Sequence, residues 1–578
     1  MLNRGSLHRA CHQKSTASPK YHPAPIDDKA ASRLHFSPGF PSGKNYHVNH
    51  NNRDDCPDSD SVFFEERSMQ PLERLFVAIS PSFLHHLIKP TSKHHAPQKL
   101  HKIAALEGLR GWACLLVFNF HFLFTYTHKT GVGWGLDENN LGIHQLPFIH
   151  MLISGHVMVT LFFVISGYVL SYKPLKLLRS HSWEQAFHTL ASSTIRRGLR
   201  LYLPSIAGTF FVFIAVRLGC FRYSTWVRDE GHTILGTNEQ HPPYFESFIE
   251  QFGDWYLTVS HLLDPWNWNL YYNFYNPHLW TIPIEFRSSM FLFLTILSVS
   301  RFRAWIRLTL VSCLLFYCIR WGRWDVVLFL SGMLMAEVDL IQGIWENPLA
   351  IPSNSSDSNP LQILREHELA HDNTNSPVDH HLDTFHSTTG TDDHEDAQYT
   401  TYVTGSSSGW SCHHTPNRLL WLSLFIVGLF IGSSPNNSPQ HTPFYRTLSS
   451  ILTPNTYMEP HRFLQSLGSI IIVFSLNRSA DLQRMFTNAL AQYLGKISYA
   501  FYIVHGPILH SLGWSLMPNI WEVTGKETDA QFCVGLLIGW LICLSVSIWV
   551  ADLFWRGVDT PAVKFAKRVE RQLMVAGL

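Results

Sequence analysis

The sequence predicts an all-α membrane protein, a polytopic helix bundle of about ten transmembrane helices with a disordered polar N-terminal tail and one long polar loop. Charged residues make up only 15% of the 578 residues, and aromatic residues reach 13%. Soluble domains carry roughly 25% charged residues. Polar residues concentrate in 1–100 and 341–417. The rest of the chain is therefore strongly apolar, with runs long enough to cross a bilayer.

Charge balance and cysteine spacing exclude several other classes of protein. The chain has 44 Lys and Arg against 43 Asp and Glu, a net charge of +1, so nucleic acid is not an expected partner. Its nine cysteines are scattered and include no Cys-x-x-Cys pair. Neither a cysteine-based zinc site nor a disulfide framework is predicted, and no metal ion is expected.

The apolar segments divide the chain into five regions. Residues 1–100, rich in His, Ser, Pro and Asn, are predicted to be a disordered tail. Residues 101–340 hold the first part of a membrane domain with about six helices, and residues 418–560 hold the second part with about four. The polar loop 341–417 between them is predicted to be disordered. Residues 561–578 are a basic tail.

Ten apolar segments are candidate membrane spans, several of them shorter than the ~20 residues that a straight span needs. They lie at residues 107–126, 148–172, 201–218, 282–299, 305–320, 323–340, 418–433, 463–476, 494–513 and 532–555. Lys and Arg are more frequent in the connections on the N-terminal side of the membrane in this count. By the positive-inside rule both termini are predicted to be cytosolic, with the endoplasmic reticulum or another endomembrane as the location.

Two polar residues on the first predicted helix are candidates for chemistry. Arg110 and His121 are eleven residues apart, about three turns, so both side chains project from one face roughly 16 Å apart along the axis. Ionisable residues in membrane helices are functional candidates, and a neutral imidazole can act as a general base. A histidine bonded to a neighbouring helix and an arginine that reaches the interface would explain the same pattern.

Four further segments add polar and small residues at defined positions. They are Phe-Phe-Val-Ile-Ser-Gly-Tyr at 162–168, Arg-Arg-Gly-Leu-Arg-Leu-Tyr-Leu-Pro at 196–204, His-Leu-Trp-Thr-Ile-Pro-Ile-Glu at 278–285 and Ile-Ser-Tyr-Ala-Phe-Tyr-Ile-Val-His-Gly-Pro at 497–507. With the Arg-x10-His pattern above, they resemble, in order, the motifs of the acyltransferase 3 family of integral-membrane O-acyltransferases. The long polar tails are similar to those of fungal-type members.

The resemblance implies an enzyme that moves an acyl group, most simply acetyl, from acyl-CoA to a hydroxyl of a small metabolite, lipid or glycan. Acetyl-CoA is then the expected co-substrate, and a hydroxylated acceptor and membrane lipid are the expected partners. The implied catalytic residues are His121 as general base, with Glu285 and Arg110.

Four residues are candidates for binding the donor. Arg196, Arg197 and Arg200 suit the phosphates of acyl-CoA, although basic residues at a helix entrance also serve positive-inside anchoring. Ser166 lies at a gap lined by small residues, which suits either a pantetheine arm or close packing of a neighbouring helix.

The remaining candidates concern the acceptor and the support of the base. Depth along the predicted helices places Glu285 near His121, where it is expected to orient the imidazole. An ion pair of Glu285 with a neighbouring helix or with Arg287 is the alternative. His505, Tyr502 and Trp280 are candidates for binding substrate, and His505 also suits a purely structural hydrogen bond.

Two other function classes fit a bundle with buried polar residues. A transporter would move a small molecule without consuming CoA, but the two halves of the chain show no convincing inverted repeat. A catalytically silent membrane scaffold would tolerate the loss of His121 and would use the loop 341–417 to bind partners.

Overall fold

The computed structural model of the protein describes residues 77, 79–85, 103–230, 234–237, 239–267, 270–344, 416–454 and 460–574. The two segments predicted to be disordered lie almost wholly outside these residues. Within them the chain is all-helical, as predicted, and the only β-type pairing there is one isolated parallel bridge between Val132 and Asn437.

The α-helices of the described residues are labelled in chain order. They are α1 (Ala104–Tyr126), α2 (Gly155–Arg179), α3 (Trp183–Arg217), α4 (Arg222–Glu230), α5 (Phe248–Leu262), α6 (Thr281–Val299), α7 (Ala304–Arg320), α8 (Trp324–Gln342), α9 (Pro416–Gly432), α10 (Arg446–Leu452), α11 (Pro460–Arg478), α12 (Ala480–Phe486), α13 (Ala489–Ile508), α14 (Trp514–Thr524), α15 (Asp529–Phe554) and α16 (Thr560–Leu573).

Shorter turns join or extend these helices. A 3-10 turn, Pro277–Trp280, leads into α6, and π-helical turns at Leu509–Gly513 and Trp555–Asp559 extend α13 and α15. The remaining 3-10 turns are Ser82–Leu84, His128–Gly131, Ile143–Gln145 and His150–Ile153. The turn before α6 and the turn after α13 both contribute side chains to the site described below.

Each of the ten predicted apolar segments coincides with a helix for most of its length. By length and composition, four helical stretches of the described residues can cross a membrane: Gly155–Arg179, Trp183–Arg217, Pro277–Val299 and Asp529–Leu573. The protein is therefore a helical membrane protein, and the count of about ten spans stays a prediction.

Glycines allow two pairs of helices to approach closely. A Cβ atom at Gly111 on α1 would collide with the backbone at Gly495 on α13. One at Gly332 on α8 would collide with the backbone at Gly167 on α2. Small residues at crossings are a common device of membrane helices, because they let backbones pack at short range. The first crossing holds α1 and α13 side by side, and these helices carry the first and last of the sequence motifs.

Two of the three apolar cores among the described residues include side chains of α1. In one, Phe118 and Phe122 of α1 stack with each other, and Phe118 also stacks on Phe501 of α13. In the other, Phe163 of α2 packs edge-on against Phe329 of α8. Helix α1 contributes to both cores, so its polar face is held between two rigid packed regions.

Candidate active site

A loop acid and four histidines form one buried polar group, here called the histidine cluster: His121, Glu239, His278, His505 and His510. Oε1 of Glu239 lies 3.3 Å from Nδ1 of His121. Its Oε2 atom lies 3.3 Å from Nε2 of His278 and 3.0 Å from Nε2 of His510. The ring of His505 is 4.9 Å from that of His278 between centroids. One carboxylate thus contacts three imidazoles.

Local backbone geometry explains how α13 contributes two histidines. In an α-helix, residues five apart project about 140° away from each other. The chain forms a π turn at Leu509–Gly513, and the wider turn of a π-helix shifts the facing of residues five apart. His510 can therefore contact Glu239 while His505 faces the same cluster from the preceding turns.

The 3-10 turn before α6 is fastened to α13. The hydroxyl of Tyr502 donates a hydrogen bond to the backbone carbonyl of His278 and lies 2.6 Å from the hydroxyl of Thr281. The amide of Asn276 donates to the carbonyl of Ile503 at 2.8 Å. These bonds set the position of the His278 ring against the cluster.

The hydrogen-bond acceptors around the cluster decide where the protons sit. A carboxylate accepts only, so Nε2 of His278 and Nε2 of His510 carry the hydrogens that they share with Glu239. Nδ1 of His505 lies 3.1 Å from the carbonyl of Phe501 and donates to it. The His121 side chain is the most exposed imidazole of the cluster at 15%, and its Nδ1 lies 3.3 Å from the same carboxylate.

Glu239 comes from the loop between α4 and α5, outside the spanning helices. Burial alone would raise its pKa, but the imidazoles of His278 and His121 lower it by more, so its pKa falls well below the usual value. Glu239 is therefore an ionised carboxylate at neutral pH, which stabilises a positive charge on the rings around it.

A second polar group surrounds Glu285 on α6. Its Oε1 atom accepts from the guanidinium of Arg197 at 2.5 Å and from the hydroxyl of Ser166 at 3.0 Å. Arg197 also donates to the hydroxyl of Ser289 at 3.1 Å. The expected support of His121 by Glu285 is not what the structure shows, because the carboxylate that contacts His121 is Glu239.

The arginines of the motif at 196–204 lie near Arg110. This set is here called the arginine cluster: Arg110, Arg196, Arg197 and Arg200. Arg200 interacts electrostatically with the other three and with Asp559. Arg196 forms an ion pair with Glu570 of α16 at 3.2 Å. Arg110 and His121 project from the same helix, so α1 connects the arginine cluster to the histidine cluster.

The other predicted binding residues are divided between these groups. Tyr502 supports the His278 turn, and its ring lies 6.0 Å from that of His505. Trp280 lies outside the histidine cluster, with the guanidinium of Arg462 5.5 Å from its ring. Substrate binding by these residues stays a prediction.

Residues 103–556 match the protein family described as acyltransferase domain. The chain belongs to the acyltransferase 3 family. The match covers every motif from Arg110 to the π turn after α13, so both polar clusters of this acyltransferase lie within the family domain.

Three fungal relatives match most of the acyltransferase chain. It is 28% identical over 513 residues to the O-acetyltransferase PaAT-1 of Phomopsis amygdali, covering 84% of this chain and 89% of that protein. It is 26% identical to the acyltransferase clz18 of Cochliobolus lunatus (82% and 96%) and 26% identical to the acyltransferase R4 of a Phoma species (82% and 97%). No solved structure matches the chain significantly.

Sequence reasoning missed three members of this acyltransferase's histidine cluster. Glu239 lies in a loop without any periodicity, and two of its three contacts come from residues more than a hundred positions away. His278 begins the motif at 278–285, but nothing in the spacing of that motif marks it as a site residue. His510 follows His505 by a spacing that an α-helical wheel places on another face. The excess of histidine near the motif at 497–507 was the available signal.

Proposed function

We propose that this acyltransferase moves an acyl group, most simply acetyl, from acyl-CoA to a hydroxyl of a small metabolite. Family membership supports acyl transfer, and the relative named as an O-acetyltransferase supports acetyl as the group and oxygen as the acceptor atom. The arginine cluster supports a CoA donor, because guanidinium groups bind phosphates through paired, charge-assisted hydrogen bonds.

The observation that carries the proposal is the contact between Glu239 and His121. The carboxylate lies 3.3 Å from Nδ1, which supports a tautomer with its hydrogen on Nδ1 and with Nε2 as the base. In this mechanism the acceptor hydroxyl gives its proton to Nε2, and its oxygen attacks the thioester carbonyl. The carbon–sulfur bond then breaks, and the departing CoA sulfur takes the proton from the imidazolium. Glu239 stabilises that imidazolium without being protonated.

The two clusters suit the two ends of an acyl-CoA molecule. Arg110 and His121 are roughly 16 Å apart along α1. With the CoA phosphates at the arginine cluster, an extended pantetheine arm along α1 would bring the thioester to Nε2 of His121. Glu285 supports this arrangement by holding Arg197 and Ser166 together at the side of the path.

The same proposal places the protein in an endomembrane such as the endoplasmic reticulum, with both termini in the cytosol. Acyl-CoA would then enter from the cytosolic side, where the arginine cluster meets the basic segment that contains α16. Four apolar helices and the excess of Lys and Arg on that side support this orientation.

The test is the variant His121→Gln, compared with the wild type in a fungal host and in isolated membranes supplied with acetyl-CoA. Loss of the base should lower transfer by about 10²–10⁴-fold. Untargeted metabolite profiles of cells with and without the gene would identify the acceptor by a mass difference of one acyl group.

The matched control is His128→Gln, because His128 is an exposed histidine just beyond the end of α1. It should keep the wild-type rate, and all three proteins should be extracted in equal amount as monodisperse particles. Turnover retained by a properly folded His121→Gln variant would refute the role of His121.

A further inference from the structure

The histidine cluster also has the ligand chemistry of a metal site. One ring nitrogen from each of His121, His278 and His505 lies within 4.8 Å of the other two. Ring centroids are 3.8 Å apart for His121 and His278, and 5.5 Å apart for His121 and His505. Nitrogens bound to one tetrahedral zinc ion are about 3.3 Å apart. Small rotations of these rings would therefore bring the three nitrogens to coordination distance.

Each of these imidazoles carries a nitrogen that has no hydrogen-bond partner among the described residues: Nδ1 of His121, Nδ1 of His278 and Nε2 of His505. Nδ1 of His121 lies 3.3 Å from the carboxylate of Glu239, whereas the other two atoms belong to residues that are 2% and 1% exposed. A buried polar atom without a partner is unfavourable. A bound cation would take up the lone pairs of His278 and His505. These unpartnered atoms point to a ligand, which the closeness of the rings alone would not.

The opposite nitrogen of each ring is already held by an acceptor. Glu239 faces His121 and His278, and the carbonyl of Phe501 faces His505. Metal-binding histidines commonly donate their other N–H to a carboxylate or a backbone carbonyl, which fixes the ring and its tautomer. In each ring the acceptor lies at one nitrogen, which leaves the other nitrogen for the metal ion.

We propose that His121, His278 and His505 bind one divalent transition metal ion. Zn²⁺ suits three neutral imidazoles with a fourth position open to water, and the partial exposure of His121 provides that open side. The ion takes the lone pair of Nε2 of His121, so zinc is a reversible inhibitor of acyl transfer. This inhibition rests on the proposed function, whereas the binding of the ion does not.

Binding is tested on the full-length protein in detergent micelles, purified through a tag without histidine, stripped with a chelator and titrated with Co²⁺. The wild type should bind one ion more per chain than His278→Asn or His505→Asn. The wild type, unlike these two variants, should show the strong visible bands of tetrahedral cobalt. His188→Asn, which removes an exposed histidine of α3, should match the wild type. Equal stoichiometry and equal spectra in all four proteins would overturn the site.

Two further measurements separate a specific site from weak binding by other histidines of the chain. Zn²⁺ should raise the unfolding temperature of the wild type but not that of His278→Asn or His505→Asn. Glu239→Gln, which removes the acceptor opposite two of the ligands, should weaken Co²⁺ binding by about 10–100-fold. An unchanged affinity in Glu239→Gln would contradict the ligand geometry assigned here.

The inhibitory role is tested by adding Zn²⁺ to membranes that carry out transfer, and then adding a chelator. Transfer should fall and then recover. Binding of the ion with undiminished transfer would refute His121 as a ligand. Cobalt binding by a protein that never transfers an acyl group would uphold the metal site and overturn the proposed function. Zinc-insensitive transfer by a protein that binds no ion would uphold the proposed function and overturn the metal site.

Discussion

Three buried acids of α8 and the buried acid Glu239 differ in the basic side chains that their carboxylates contact. Three carboxylates of α8 are paired with arginines of other helices: Asp325 with Arg287 at 3.1 Å, Glu337 with Arg307 at 2.5 Å and Asp339 with Arg478 at 2.6 Å. Glu239 instead meets imidazoles. Of the two predicted alternatives for Glu285, the structure shows an ion pair with a neighbouring helix, through Arg197 of α3. It does not show the pair with Arg287, which contacts Asp325 of α8.

The difference lies in what each cation can do with a proton. A guanidinium stays charged at any pH that a protein meets, so the pairs of α8 are permanent cross-links between helices. An imidazole gains and loses its proton near neutral pH. The acid at Glu239 can therefore support a ring that changes charge during a reaction. One set of buried charges fixes the helices, and the other suits the proton transfer proposed above.

The largest expected effect comes from breaking a permanent pair. Arg478→Met removes the guanidinium that pairs with the fully buried Asp339 and leaves the bonds from Tyr168 and Asn477. Loss of one partner of a buried pair costs about 3–5 kcal/mol. Denaturant or heat unfolding in micelles should show that loss, with the transfer rate per folded molecule unchanged. Arg484→Met, at an arginine whose side chain is 82% exposed, is the control and should change neither.

The opposite pattern is expected for Glu239→Gln. Removing the negative charge leaves the shape of the side chain but no longer favours the imidazolium form of His121. Transfer should fall by about 10²-fold while the amount of folded protein changes little. Glu246→Gln, at an exposed acid of the same loop, should keep the wild-type rate. If Glu239→Gln lowers stability as much as Arg478→Met does and leaves the rate intact, the contrast between the two sets fails.

A smaller effect is expected from moving a histidine without altering any charge. A Cβ atom at Gly506 would collide with the ring of His278 and crowd the amide of Asn276. Gly506→Ala should therefore lower transfer by about 10-fold, although alanine is the better helix former by about 1 kcal/mol. Gly253→Ala places the same atom in open space on α5 and should keep full activity. Equal rates in both variants would show that the position of His278 does not matter.

The smallest effect concerns the pH dependence of stability at His241, a buried loop histidine stacked on Trp514. Burial lowers the pKa of His241 to about 3, and the neighbouring His510 and Arg228 contribute. An unfolded histidine takes up a proton below about pH 6.5, so this residue favours unfolding as the pH falls from there towards 3. Each pH unit removes about 1.4 kcal/mol.

Unfolding curves of the wild type and His241→Gln at several pH values between 7.5 and 5 would measure this contribution. The wild type should lose more stability than the variant over that range. His188→Gln, at an exposed histidine, should follow the wild type. Parallel curves for the wild type and His241→Gln would mean that His241 is protonated in the folded protein.

Much of the fold could be predicted because membrane helices can be recognised from short segments of the sequence. Apolar runs of bilayer length predicted the helices, and the small residues beside Ser166 suited either a pantetheine arm or a close helix crossing. The structure shows a close crossing there, between Gly167 and Gly332. These signals come from residues near one another in the chain or from periodicity along one helix.

Pairings between distant segments could not be predicted in the same way. Glu285 and Glu239 are both acids close to predicted membrane helices in the sequence. Depth along the predicted helices favoured Glu285 as the partner of His121. Rotation of α6 instead turns Glu285 to Arg197. The rotation of a helix about its own axis is set by packing against its neighbouring helices. It cannot be deduced from the residues of that helix alone.

By itself, the sequence determined that this protein is a helical membrane bundle, that it carries the acyltransferase motifs, and that α1 presents an arginine and a histidine on one face. Periodicity and hydropathy are local properties of the sequence, so they can be recognised without knowledge of the tertiary structure. Only the tertiary structure decided that a loop acid meets three histidines, that a π turn brings His510 into contact with it, and that the acids of α8 meet arginines. Those choices depend on helix rotation and loop closure, which are settled by all the contacts of the bundle together.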